Sequence, residues 1–370
     1  MKKTLLVIII WSVLFYLVGC GAKEIQSQTY ITGIGIDYKD GEFIVYTQAQ
    51  NFANIAKQEG TTSLQQSVPM LVGEAKAKSI HSALNTLEQN SALPFYYGHV
   101  NTILLSENVI KDKMKSVIEF IGQNPFLRYN IWFFGTRENV KEILLAESFF
   151  NFPSIYTILH NPKSLTQNTF FIPIEEYNEF ISYYYQPIGS FLIPSISLND
   201  TNFSEDEKQK KISTVNGGFA VSQQQFKGWV AKEDLVGLKW LSKEANNIPY
   251  MLFQEKVSLI MQNPRFNVKV ISGPQPSYHL DLKVNAQIAQ NQDNISYDRI
   301  KKEVEKKIKD ELLKTIGKSD EIQSDLLNLS ETAYRYHLKE WDLGNIHSIS
   351  KDSIKKIEVK VNIIKTVHYK

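Results

Sequence analysis

The stretch Tyr30-Ile31-Thr32-Gly33-Ile34-Gly35-Ile36-Asp37, with Tyr38-Lys39-Asp40-Gly41 behind it, decides how the rest of the chain is read. Its Gly-x-Gly core resembles the opening of a dinucleotide-binding turn. That turn needs a third glycine at position 38 and a helix directly afterwards, because the pyrophosphate rests on the helix N-terminus. Tyr38 stands there instead. Asp40-Gly41 is a hairpin signal, and Glu42 to Asn51 is a second strand-like run. The fold therefore opens on an antiparallel pair. Gly33 and Gly35 are read as strand glycines that permit a bulge or the close approach of another segment.

Upstream lies an export signal. Met1-Lys2-Lys3 is a positive start, Leu5 to Val18 is apolar apart from Ser12, and Leu17-Val18-Gly19-Cys20 closes the run as a lipobox. Cys20 is the single cysteine among 370 residues. Its sulfur is expected to take a diacylglyceryl group, with cleavage between Gly19 and Cys20 and acylation of the new amino terminus. Two acyl chains anchor a protein stably where one holds it only marginally. The competing reading, an uncleaved membrane-spanning helix, has only about 14 apolar residues where about 20 are needed. Residues 1–19 are thus read as a lipoprotein signal peptide and 20–29 as the lipidated N-terminus and spacer. With its sulfur acylated, the exported protein has no disulfide to stabilise it.

Downstream, the composition is ordinarily globular: 43% hydrophobic, 22% charged, net charge +2. That balance carries no field suited to nucleic acid. The length predicts two or three domains. Lys57 to Gln66 reads as a loop. Glu74 to Gln89 has helical spacing through Ile80, Ala83, Leu84 and Leu87. His99 to Leu105 reads as a strand, Lys113 to Gly122 as a helix, Asn130 to Gly135 as a strand and Arg137 to Ala146 as a helix. This alternation predicts a layered βαβα unit, with strand direction left open. Asn151 to Ile196, aromatic and proline-rich, reads as packed irregular chain. The polar run Ser197 to Lys211 is the expected boundary between an N-terminal α+β region, 30–197, with room for two subdomains, and a C-terminal one, 212–370.

In the second region, strands are predicted over Ser213 to Val221, Glu255 to Met261, Arg265 to Ile271 and Tyr278 to Ala289, divided by Asn-Pro and Gly-Pro pairs. Ile300, Val304, Ile308 and Leu312 predict a helix over 297–316. Gly317 is expected to end it, and Ser319 to cap a second helix reaching about Trp341. Alternation through Ile357, Val359, Val361 and Ile363 predicts a closing strand over 354–367. The fold class is accordingly α+β, multi-domain, with mixed sheets and packed helices behind the cleaved signal.

Catalytic chemistry finds little support. Ser353-Ile354-Lys355-Lys356 has a serine–lysine spacing, but the supporting Ser-Asp-Asn and Lys-Thr-Gly elements are missing. The seven histidines, at 81, 99, 160, 279, 337, 347 and 368, form no metal-ligand spacing. His81 and His99 read as hydrogen-bonded structural residues. Glu175-Glu176 lies in aromatic sequence that identifies no general acid, and Tyr183 to Tyr185 reads as buried aromatic surface. No catalytic residue, metal ligand or cofactor is assigned.

Four stretches carry a resemblance: Thr32-Gly33-Ile34-Gly35-Ile36-Asp37; His81-Ser82-Ala83-Leu84 with Tyr96-Tyr97-Gly98-His99; Ile193-Pro194-Ser195-Ile196 with Gly217-Gly218-Phe219-Ala220-Val221, Lys227-Gly228-Trp229 and Leu235-Val236-Gly237-Leu238; and Tyr334-Arg335-Tyr336-His337-Leu338-Lys339-Glu340-Trp341. With Cys20 in front, they are similar to the GerAC-type, or Ger(x)C, lipoproteins, the C subunits of spore germinant receptors. Members often carry Trp-Asp after the lipidated cysteine, where this chain has Gly21-Ala22. The resemblance implies a non-enzymatic, three-domain α+β lipoprotein on the outer surface of the spore inner membrane. Its expected partners are two integral membrane subunits, A and B, to which the family's nutrient site is usually assigned. The alternative from another class is an extracytoplasmic solute-binding lipoprotein of a transporter, which two similar lobes around a cleft would favour. A cell-envelope hydrolase is the third reading, and no nucleophile motif argues for it.

Overall fold

The computed structural model describes residues 28–50, 70–163, 172–242, 247–346 and 349–364. The signal peptide, Cys20, the loop expected over 57–66 and the last residues of the closing strand lie outside them. Strand β1 (Thr29–Lys39) turns into β2 (Glu42–Gln50) through Asp40 and Gly41, at φ 54° and 79°. Lys39 pairs with Glu42, so this is the two-residue hairpin expected from Asp-Gly. Its register shifts between Ile31 and Gly33, which places a bulge at Thr32, directly before the first strand glycine.

β3 (Met70–Ala77) adds to β2, and helix α1 (Ile80–Gln89) follows. The helix expected from Glu74 is therefore shorter at its start. Glu74 to Ala77 complete the strand, with Ala75 buried between exposed neighbours, and the Ser79 hydroxyl accepts from Ser82 N–H at 3.1 Å to cap the helix. The chain continues through β4 (Phe95–Tyr96), β5 (Thr102–Ser106), α2 (Glu107–Asp112), α3 (Met114–Gln123), β6 (Trp132–Thr136) and α4 (Val140–Leu144). Helix α5 (Tyr177–Tyr184) and strand β7 (Phe191–Asn199) then occupy the stretch expected to be irregular. Tyr177, Phe180 and Tyr184 are the buried face of α5.

β1, β5, β6 and β7 pair in parallel, settling the direction left open by the sequence. β10 (Ile212–Ser222) and β11 (Gln225–Ala231) extend the sheet antiparallel beyond β7. The polar run 197–211 thus sits in a hairpin, where β8 (Ser204–Glu205) and β9 (Lys208–Gln209) form a small ladder. It joins two strands of one sheet. The order is β11-β10-β7-β6-β5-β1-β2-β3, with β4 beside the start of β1.

The second sheet has the order β12 (Ile248–Leu252), β13 (Val257–Ile271), β14 (Ser277–Asn291) and β15 (Ile354–Ile364). Asn263-Pro264, expected to divide two strands, lies inside β13, where the register shifts between Gln262 and Arg265. Helix α6 (Tyr297–Glu321) runs past Gly317. Ser319 belongs to this helix, donating to Thr315 C=O and accepting from Leu326 N–H, both at 3.1 Å. The expected second helix is the shorter α7 (Ser330–His337), whose start is held by buried Asp325 accepting from Ser330 N–H at 2.7 Å. Left-handed backbone at Gln323 and Asn328 interrupts the helical path between them.

Three apolar layers hold these parts. One face of the large sheet packs under α1, α2, α3 and α5 through residues such as Ile34, Phe133 and Phe180. Its other face, with Leu104 and Phe134, meets α4 and also Tyr278, Leu280, Leu327 and Ala333 from the C-terminal region. The third layer joins Leu282, Val284 and Ala286 of β14 to Ile300, Val304, Ile308 and Leu312 of α6.

Candidate anchoring site and the polar cluster beside it

The predicted site residues Gly19 and Cys20 lie outside the described residues, so the site is defined here by where their chain joins the body. Thr29 N–H donates to Pro94 C=O at 3.0 Å, and β4 pairs with Thr29 and Tyr30. On its other side Tyr30 pairs with Gln50. Tyr30, Tyr96 and His99 form a ring trio with centroids 5.4–5.6 Å apart. Burial, and then the Arg128 guanidinium, hold the His99 ring below the usual imidazole range.

Just inside this end, four polar side chains meet in the core. Gln48 donates from Nε2 to Leu144 C=O at 2.6 Å, which aims its Oε1 at His160 Nε2, 2.7 Å away. Thr32 Oγ1 donates to the same Gln48 Oε1 at 3.3 Å. Asn101 Oδ1 lies 2.5 Å from His160 Nδ1, and its Nδ2 donates to His160 C=O at 3.3 Å. Both ring nitrogens therefore face amide oxygens. Burial favours the neutral ring, with its pKa pushed down to about 3. A neutral imidazole has one N–H, so one amide must present its nitrogen.

This cluster ties β1, β2, the start of β5 and the segment before residue 163 together. It is reached by the close approach that Gly35 allows: a Cβ there would sit 2.5 Å from Val140 Cγ1 and 2.9 Å from Leu144 Cδ1. Sequence reading passed over His160 as one of seven scattered histidines. Its signal was a polar residue directly behind the apolar Ile158-Leu159.

The weaker candidates do not assemble. Ser353 Oγ donates to Ser350 C=O at 2.6 Å as part of a cap, while Lys356 pairs with Glu358 at 2.7 Å. Glu176 pairs with Lys163 at 3.9 Å. His81 packs edge-on against Phe120 with centroids 5.2 Å apart. Among the described residues no three His, Cys, Asp or Glu side chains are placed to hold a metal ion.

Comparison with known proteins adds two family matches. Residues 21–198 match the spore germination protein N-terminal domain, and residues 217–367 match the spore germination B3/GerAC-like C-terminal domain. Among solved structures the chain is similar to one described as the crystal structure of the GerBC protein. The two share 16% identity with a TM-score of 0.55, over 90% of this chain and 97% of that one. At that identity the likeness speaks for the mixed α+β fold. No curated protein matches.

Proposed function

Because the chain belongs to the GerAC-type family of spore germination proteins, we propose that it is the lipid-anchored, non-catalytic C subunit of a nutrient germinant receptor. The observation that carries this reading is the pair of matches, which begin at residue 21, directly behind Cys20, and reach residue 367. Among the described residues no helix is long and apolar enough to cross a membrane. Cys20 is the attachment we assign, on the outer surface of the spore inner membrane, with the signal removed after Gly19.

The working principle is restraint to two dimensions. A tethered domain meets membrane partners at high effective concentration, so modest interfaces suffice for assembly. The partners in this reading are the integral A and B subunits, and the complex couples nutrient sensing to release from dormancy.

Coexpression with both subunits, solubilisation in gentle detergent and pull-down on this chain should recover A and B together. Their absence from the eluate, with a folded and acylated bait, counts against the assignment. Tight calorimetric binding of an amino acid or sugar to the isolated chain would instead promote the solute-binding alternative. A Cys20→Ala chain should lose its acyl label and leave the lipoprotein fraction.

A further inference from the structure

The four parallel strands give the large sheet two unlike ends. Beyond their carboxyl ends stand carboxylates: Asp40 after β1, Glu107 after β5, Glu138 after β6 and Asp200 after β7. At the amino ends, the segments 89–101, 124–131 and 149–163 contain no Asp or Glu, whereas the approach to β7 is acidic, with Glu175, Glu179 and Glu331 around Tyr183. These segments converge on one rim. Pro94 and Tyr96 hold the start of β1, Trp132 N–H donates to Asn101 C=O at 2.8 Å, and Gln50 donates to Ser154 Oγ. At the margin, Glu88 accepts from Tyr97 Oη and Glu176 pairs with Lys163.

On these three segments the rim is aromatic as well as free of acid. Phe126 is 66% exposed and Tyr129 57%, with exposed Arg128 between them, and Tyr96, Phe152 and Tyr156 are exposed on the neighbouring segments. Large rings left in water in one contiguous region mark an interaction surface. Phenyl and phenol rings flanking a cation suit the boundary between headgroups and acyl chains, where aromatic side chains concentrate and basic ones meet anionic lipid.

The tether selects the occupant. Nine residue steps separate Cys20 from Thr29, a reach of at most about 30 Å when fully extended. With Cys20 anchored, as the proposed function has it, the start of β1 stays that close to the bilayer. The acid-bearing end, a strand length away, points off it. We infer that the amino-end rim of the large sheet is the face that lies on the lipid surface, with Phe126 and Tyr129 seated among the headgroups and Arg128 against their phosphates.

Acylation of Cys20 leaves the chain without a free thiol, so one introduced cysteine is a unique labelling point. Phe126→Cys tests the rim, and Lys39→Cys, at an exposed position on the carboxyl end of β1, is the control. Each full chain, acylated and carrying an environment-sensitive fluorophore, is placed on phosphatidylglycerol–phosphatidylethanolamine vesicles containing nitroxide-tagged lipid. The label at 126 should shift to the blue and lose most of its emission to the nitroxide, while the label at 39 keeps both colour and intensity. Equal, unquenched emission at the two positions on acylated, vesicle-bound protein overturns the inference and leaves the anchor standing. A blue shift at 126 without quenching, seen only with A and B subunits present, assigns the rim to protein docking and also overturns it. A chain without acyl mass that washes from the vesicles removes the anchor reading, and this inference with it.

Discussion

The two sheets of this molecule solve burial differently. In the large sheet, β5 and most of β6 are buried on both sides, because helices cover one face while α4 and the C-terminal region cover the other. In the second sheet, β14 buries Leu280, Leu282, Val284 and Ala286 and leaves His279, Asp281, Lys283 and Asn285 at least partly open. A strand between two layers reads as a continuous apolar run, whereas a strand with one covered face alternates. The difference teaches that the first sheet is the structural centre to which everything else is fitted, and the second is a platform for α6.

The strongest way to break that comparison is to truncate adjacent residues in each sheet. Phe133 and Phe134 are both fully buried but belong to opposite layers of the core. Phe133→Ala and Phe134→Ala should each destabilise by about 3–5 kcal/mol, read as a lower midpoint in urea unfolding. In β14, Leu282→Ala should cost about 2–5 kcal/mol, but its neighbour Lys283→Ala should stay within about 0.5 kcal/mol. A mild effect at either phenylalanine would mean that one face of the large sheet is not packed as described.

The same contrast explains what could be read in advance. Helix α6 was legible because Ile300, Val304, Ile308 and Leu312 repeat four apart over a polar surface, and β14 and β15 because they alternate. Helix α5 was hidden: Tyr177, Phe180 and Tyr184 have helical spacing, but further aromatics around them blur the period. The β7–β10 hairpin was hidden for another reason. Its polar connection reads locally like a linker, and only the pairing of Ile212 with Asn199 shows that the sheet continues across it. Parallel pairing has no local signature at all. The candidate site divides likewise. Cys20 is proposed from a local motif, the lipobox around it. The aromatic rim is assembled from three segments distant in sequence, which meet only because β1, β5 and β6 run the same way.

A second contrast sharpens the comparison through pH. The large sheet packs against a buried polar cluster in which His160 is the ionisable group. Burial lowers this ring from 6.5 to about 3. Folding therefore favours its neutral form: the stabilisation is fully present above pH 6.5 and is lost as pH falls toward about 3. Within that window the protein should lose up to about 1.4 kcal/mol of stability per pH unit from this one group. Urea midpoints measured from neutral to acidic pH should show the slope, and His160→Gln should flatten it even if it lowers stability overall. An unchanged slope in the variant would assign acid sensitivity to other groups.

The smallest expected effect lies on α6 and tests why Gly317 fails to end it. Glycine in a helix interior costs roughly 0.5–1 kcal/mol relative to alanine, since its unfolded backbone has more freedom to lose. Gly317 stays helical because residues on both sides are buried: Ile316 against the layer below and Ser319 through two hydrogen bonds. A Cβ at 317 would meet Lys351 Cε at 2.8 Å and Nζ at 3.2 Å. Those atoms are the end of a long, flexible side chain, which can swing away at little cost. Gly317→Ala should therefore be neutral or stabilising by no more than about 1 kcal/mol, seen as an unchanged or slightly higher melting temperature. A loss of several degrees would show that the backbone at 317 needs glycine's freedom, and that the helix breaks where the sequence first suggested.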